Sequence, residues 1–299
     1  MGYGSWSDSS FRAYSSAKGR TVDSSGAVSG SYRNQDMFRA SNLDKALDPK
    51  GVIRECRDSA EHPNVVPVIL ALDVTGSMGE AAVEVAKKIN IVMTELYKTY
   101  PDVQFMIMGI GDMACDRCPA QATQFESDIR IADQLEKIYF EFGGGGNSFE
   151  SYSLAWYFAL NHTSIDAIEK RGKKGIIITM GDEPLNPYLP VRGSRASMKE
   201  VFGDDVGENI DTKALYDQVK DKFECFHIHV DHNSGTFYSF KNCKKSFVDV
   251  MGNDHVISAT LNTIAKKITE LIVANAEFDT TATQDSGIEV DEKTGDIAW

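Results

Sequence analysis

Three oxygen-rich stretches and one lone aspartate stand out in this chain of 299 residues. They are Asp73-Val74-Thr75-Gly76-Ser77, the run from Gly143 to Ser151 (GGGGNSFES), Gly181-Asp182-Glu183-Pro184, and Asp112 at the end of GIGD. In the first stretch a carboxylate and two hydroxyls alternate. A tight turn aims alternate side chains at one point, and Gly76 permits such a turn. Hard oxygen donors of this kind suit Mg²⁺, which prefers near-octahedral ligands at about 2.0–2.1 Å and keeps several waters. The chemistry to expect is therefore cation binding.

The elements that would position these groups can be read from Val65 onward, where strand and helix patterns alternate as in a parallel α/β sheet. VVPVILALD is continuously apolar, as a strand buried on both faces must be. VQFMIMGIGD, KKGIIITMGDEP and ECFHIHVDH supply three further strands, and TQFESD reads as a short edge strand. EAAVEVAKKINIVMTELYKTY places Val85, Ile89, Val92 and Leu96 at helical spacing. RIADQLEKIYFEF, SYSLAWYFALNH, TKALYDQVKDKF and VISATLNTIAKKITELIVANA read as further helices, and four consecutive glycines from Gly143 require a loop. The expected fold is α/β, a doubly wound, mostly parallel central sheet with helices on both faces, Rossmann-like, with one short antiparallel edge strand. Ligands of such sheets bind beyond the carboxyl ends of the strands. All four polar features fall there.

Three segments follow from composition. Residues 1–48 are rich in Ser and Gly and read as a flexible arm with a short helix at Met37 to Ala46. Residues 49–278 form the domain, opened by an extension strand in GVIRECRDS. Residues 279–299 form an acidic tail in which Ile288, Val290, Ile297 and Trp299 could dock as a small hairpin.

The formal net charge of −13 disfavours a nucleic-acid partner, because phosphate binding needs a basic face. No apolar run approaches the roughly 18 residues of a membrane span. Five cysteines are an odd set that fits reduced thiols. The opening residues carry no apolar signal core. A cytoplasmic protein is the expectation, although a virion component or a protein exported by an unrecognised route would share these features.

Asp73-Val74-Thr75-Gly76-Ser77 resembles the metal-ion-dependent adhesion site of the von Willebrand factor A family, whose opening motif is D-x-[ST]-x-S. The resemblance spans roughly Val65 to Ala276 and extends, through DVTGSMG, GDEP and EHPN, to bacterial and phage A-domain proteins. It implies that Asp182 supplies a second carboxylate, here in the order Gly-Asp where the family has Asp-Gly. It also implies a hydroxyl donor from a third loop. The family commonly has Gly-Gly-Thr there; GGGGNSFES offers Ser148 and Asn147 first, then Glu150 and Ser151. Asp73 and Asp182 would balance the charge of Mg²⁺, with Mn²⁺ or Ca²⁺ as substitutes. One coordination position stays open in the family and takes a partner's Asp or Glu. The resemblance thus implies a protein-binding module rather than an enzyme, whose partner could be an AAA+ ATPase or an assembly component.

Two other readings compete. D-V-T-G-S also resembles the nucleophile motif of haloacid-dehalogenase-type phosphatases, with Asp73 attacking phosphorus. Thr75 stands where their second aspartate belongs. A structural or assembly protein with a purely stabilising metal is the other alternative. Plainer roles suit the remaining features. Asp73 or Ser77 could simply cap a helix, and Asp182 could shape the turn before Pro184. Asp112 could cap its loop or act as an acceptor behind the metal. Cys115-Asp-Arg-Cys118 has no second pair to complete a zinc site. His227 and His229 suit a core, and Met78, Met93, Met106, Met108 and Met113 should fill one. Trp156-Tyr157-Phe158 reads as a buried helix face. The basic run Lys170 to Lys174 reads as a solvated helix end.

Overall fold

The computed structural model describes residues 4–141, 149–231 and 240–276. The strands are β1 (Arg54–Cys56), β2 (Val66–Asp73), β3 (Val103–Ile110), β4 (Ala120–Ala122), β5 (Thr163–Ile165), β6 (Gly175–Gly181), β7 (Tyr188–Leu189), β8 (Ile210–Asp211), β9 (Phe223–Asp231) and β10 (Val256–Thr260). The helices begin with α1 (Asp8–Ala17), α2 (Asn34–Met37), α3 (Gly79–Thr99), α4 (Arg130–Leu135) and α5 (Ser153–Asn161). They continue with α6 (Asp166–Glu169), α7 (Met198–Val201), α8 (Thr212–Val219), α9 (Phe240–Met251) and α10 (Ile264–Asn275).

Six strands form the central sheet in the order β10-β9-β6-β2-β3-β4. All pairs are parallel except β3 with β4, the expected antiparallel edge. From β2 the chain runs to β3 on one side, and β6 pairs on the other. The crevice between β2 and β6 is therefore a topological switch point, where side chains beyond the strand ends can meet. Register sets the meeting place: Leu72 lies opposite Met180, so Asp73 ends β2 level with Gly181 and Asp182 follows just past the rim.

Both faces of the sheet are covered. Val68, Leu70 and Leu72 of β2 belong to one apolar core with Val85, Ile89, Val92 and Leu96 of α3 and with α10. Ile69 and Ala71, pointing the other way, belong to a second core with Trp156 and Phe158 of α5. The five methionines named above are all buried, as their core role requires.

The structure corrects several boundaries. TQFESD contributes one bridge, Phe105 with Glu126, whereas the paired edge strand lies just before it at Ala120–Ala122. The helix expected over 130–142 stops at Leu135, yet Ile138 and Phe140 still bury. VISATLN does not begin a helix. Val256 to Thr260 pair in parallel with His227 to Asp231 as the last strand, consistent with its β-branched residues. Arg54–Cys56 is a strand but joins β5 in a separate pair. No helix spans Met37 to Ala46; the chain turns there instead.

The N-terminal stretch is the larger departure from expectation. Asp8–Ala17 is a helix capped by Ser7, whose hydroxyl accepts from the N–H of Ser10. Trp6 and Phe11 are buried in the α3 core. Trp6 Nε1 donates to Asn90 Oδ1 at 2.9 Å, and the Val28 N–H donates to the Lys87 carbonyl at 2.9 Å. Farther on, the buried guanidinium of Arg54 donates to the carbonyls of Ala46 and Ala122 at 2.7 and 2.8 Å. Sparse aromatics in a polar segment find an apolar stripe here that local composition does not reveal. The tail hairpin expected around Ile288 to Trp299 lies outside the described residues. Among the described residues, no helix is long and apolar enough to cross a membrane.

Candidate functional site

Asp73 is the last residue of β2 and is fully buried. The chain then turns sharply into α3. Within that turn, Asp73 Oδ1 accepts the backbone N–H of Thr75 at 2.8 Å and the Thr75 hydroxyl at 2.6 Å. Thr75 Oγ1 lies 3.3 Å from Ser77 Oγ, and Ser77 Oγ donates to Asp182 Oδ1 at 3.1 Å. A continuous string of oxygens thus runs from the end of β2 to the residue following β6. Its two carboxylates are buried, while its two hydroxyls are half-exposed.

The third loop is tied to the same rim. The Tyr152 hydroxyl donates to Asp73 Oδ2 at 2.8 Å. Ser151 Oγ donates to Asp112 Oδ1 at 3.1 Å and accepts the Met113 N–H at 3.0 Å. The Glu150 N–H donates to the Pro184 carbonyl, and residues 150 and 185 form a parallel bridge. Consecutive residues 150 to 152 therefore touch all three strand ends. Gly181 follows from this packing, because a Cβ there would land on the Tyr152 hydroxyl. That is why glycine precedes the aspartate.

Electrostatically the rim is strained by like charge. Burial, then the neighbouring charge of Asp182, pushes the Asp73 carboxyl up to about 7, against the pull of the Thr75 and Tyr152 hydrogen bonds. Glu150 is raised well above the ordinary range by burial and by Asp73, Asp116, Asp112 and Glu183. Asp112 Oδ2, Asp116 Oδ1 and Glu150 Oε2 are buried without a hydrogen-bond partner. A divalent cation would relieve that repulsion, and every donor in the string is a hard oxygen of the type Mg²⁺ prefers. Among the described residues, no three His, Cys, Asp or Glu side chains cluster as a metal site. The donor set here rests instead on two carboxylates and two hydroxyls.

No family model and no curated protein matches the sequence. Solved structures do. The pilus adhesin SpaC from Lactobacillus rhamnosus GG in its open conformation is 14% identical with a TM-score of 0.46, over 74% of this chain and 31% of the adhesin. This chain thus spans about a third of that adhesin's length. The vWF domain of the type V pili tip protein Mfa5 from Porphyromonas gingivalis is 12% identical with a TM-score of 0.46, over 73% of this chain and 99% of that one. The SpRpn10 VWA domain is 12% identical with a TM-score of 0.39, over 70% and 94%. The chain is similar to von Willebrand A domains. The likeness is one of fold, and the doubly wound sheet stands on the chain's own strand order.

Of the residues expected from the von Willebrand A motif, Asp73, Thr75, Ser77 and Asp182 come together. Ser148 and Asn147 lie outside the described residues. Asp112 sits at the same rim, held by Ser151 and by the Ala114 N–H at 3.0 Å. Tyr152 was not legible as a site residue, since no local signal marks a helix tyrosine as the partner of a strand-end aspartate. Cys56 and Cys225 are buried thiols, and Cys115 and Cys118 are half-buried in the loop after β3. His227 packs flat on Phe247, with 3.4 Å between ring centroids, in the core role expected of it.

Proposed function

We propose that this chain is a metal-dependent protein-binding module. In this reading Asp73, Thr75, Ser77 and Asp182 hold one divalent cation, Mg²⁺ or in its place Mn²⁺ or Ca²⁺. Ser148 or Asn147 of the third loop adds a further oxygen. When bound, the cation supplies an electrophilic point on which an Asp or Glu of a protein partner completes the ligand set. The observation that carries the reading is the Ser77–Asp182 contact, which closes the oxygen string between two buried carboxylates from separate loops.

A binding role suits the geometry better than phosphoryl transfer. A phosphatase of the haloacid-dehalogenase type pairs its nucleophilic aspartate, here Asp73, with a carboxylic acid two positions on. The residue two positions on is Thr75, which cannot act as the carboxylic acid–base of such enzymes.

Thermal unfolding in EDTA and in excess Mg²⁺ tests this reading. Ligand at a hundred times its Kd stabilises a folded protein by about 2.7 kcal/mol, so the melting temperature should rise by several degrees. Asp73→Ala should abolish that rise. A variant that responds to Mg²⁺ as the parent does would overturn the metal assignment.

A further inference from the structure

Beside the loop that follows β3 lies a recess of about 790 Å³ whose walls include Phe38, Arg39, Arg117, Tyr139, Glu141 and Arg195. Two of its guanidinium groups converge on a single carboxylate. Arg195 Nη1 donates to Glu141 Oε1 at 3.1 Å, and Arg117 Nε lies 3.6 Å from the same oxygen. Glu141 is itself buried, and its other oxygen accepts the backbone N–H groups of Arg117 and Cys118 at 3.0 and 3.4 Å. Arg117 also donates to the Tyr139 hydroxyl at 3.1 Å. Arg39, exposed at the mouth, donates to the Asp36 carbonyl at 3.4 Å. Two guanidinium groups thus share one carboxylate, and a third stands at the mouth.

The other basic cluster is neutralised. Lys170 pairs with Asp166 at 2.8 Å, Arg171 with Asp58, and Lys174 with Glu224 at 2.7 Å. The side chains of Arg117 and Arg195 instead remain 56% and 51% exposed. On a chain of net charge −13, such a recess is where an anionic segment is drawn in rather than repelled. It also adjoins the carboxylate rim. Asp116 accepts the Asp112 N–H at 2.8 Å and feels the charges of both Glu141 and Arg195.

We infer that this recess is a second recognition subsite, which takes an acidic peptide segment of the protein partner. The partner's carboxylates meet the forks of Arg117, Arg195 and Arg39, a planar match that lysine cannot reproduce. Phe38 and Phe140, buried with their rings 4.8 Å apart, form the floor beneath the same recess. The inference rests on the protein-binding reading for its partner, but not on the metal.

The test uses the full chain and a short fluorescein-labelled glutamate-rich peptide, followed by anisotropy in EDTA so that no cation contributes. Binding should occur, weaken with added salt, and fall about tenfold in the variant carrying Arg117→Ala and Arg195→Ala. If that variant fails to melt cooperatively, Arg39→Ala and Arg117→Lys replace it, each expected to bind more weakly than the parent. Arginine variants that keep full affinity would overturn the subsite while leaving the Mg²⁺ response intact, so failure here and failure of the metal reading are distinguishable. Displacement of the peptide by inorganic phosphate at lower concentration than by glutarate would overturn the carboxylate assignment in favour of a phosphate site.

Discussion

The Tyr152 hydroxyl reaches 2.8 Å to Asp73 Oδ2 and so couples the start of α5 to the end of the central strand β2. The ring is fully buried, edge-on to His227 and Phe247 at 5.3 and 5.2 Å between centroids. Its hydroxyl also accepts the Glu183 N–H at 3.3 Å. One phenol therefore orients the motif's first carboxylate and braces the loop that carries Asp182.

Tyr152→Phe removes that hydroxyl and leaves the buried oxygen of Asp73 without its donor. An orphaned buried polar group costs about 1–3 kcal/mol. The urea midpoint of the variant should fall accordingly, with an unchanged slope. A midpoint equal to the parent's would show that the hydrogen bond contributes nothing.

A second prediction concerns pH and lies away from the oxygen string. The Asp116 carboxyl is pushed up to about 6, first by burial and then by the charges of Glu141 and Asp112, against the Asp112 N–H that it accepts. Its folded value is thus above its unfolded one. The folded state gains from protonation, and that gain is complete below about 4 and is lost as pH rises through about 6. Asp116→Asn keeps an acceptor for the Asp112 N–H and removes the charge. The variant should match the parent near pH 4 and exceed it in stability at pH 8. Chemical denaturation at both values measures the difference. Equal stability at pH 8 would rule the effect out.

The docking of the N-terminal segment gives a third. Asn90 accepts from Trp6 Nε1 and donates to Asp8 Oδ1 at 2.8 Å and to the Gly26 carbonyl at 3.0 Å. Asn90→Leu strands these three N-terminal partners. The segment should loosen at a cost of about 1–3 kcal/mol, and trypsin should cut at Lys18 and Arg20 well before the body of the domain. Mass spectrometry of timed digests reads this directly. Protection equal to the parent's would mean that apolar contacts alone hold the segment.

Local sequence marks an element clearly where period and chemistry coincide. Largely apolar runs bounded by turn residues mark β2, β3, β6 and β9, because strands covered on both faces bury nearly every side chain and admit few polar ones, such as Gln104, Thr179 and His227. The alternation of Asp73, Thr75 and Ser77 ahead of a helix announces its convergence, because a turn has few ways to aim three side chains. Val256 to Thr260 was misread as helix, since five residues hold too little periodicity to separate the two states.

By itself, then, the order of residues determined the parallel sheet, the placement of the polar motifs at its carboxyl rim and the oxygen chemistry of Asp73, Thr75 and Ser77. These depend on neighbours a few positions apart. Tertiary structure alone decided that Ser77 meets Asp182, 105 positions on, that Tyr152 holds Asp73, and that Trp6 and Phe11 lie in the core on α3. Each of these joins residues that share no local pattern, and only the folded sheet brings them within reach.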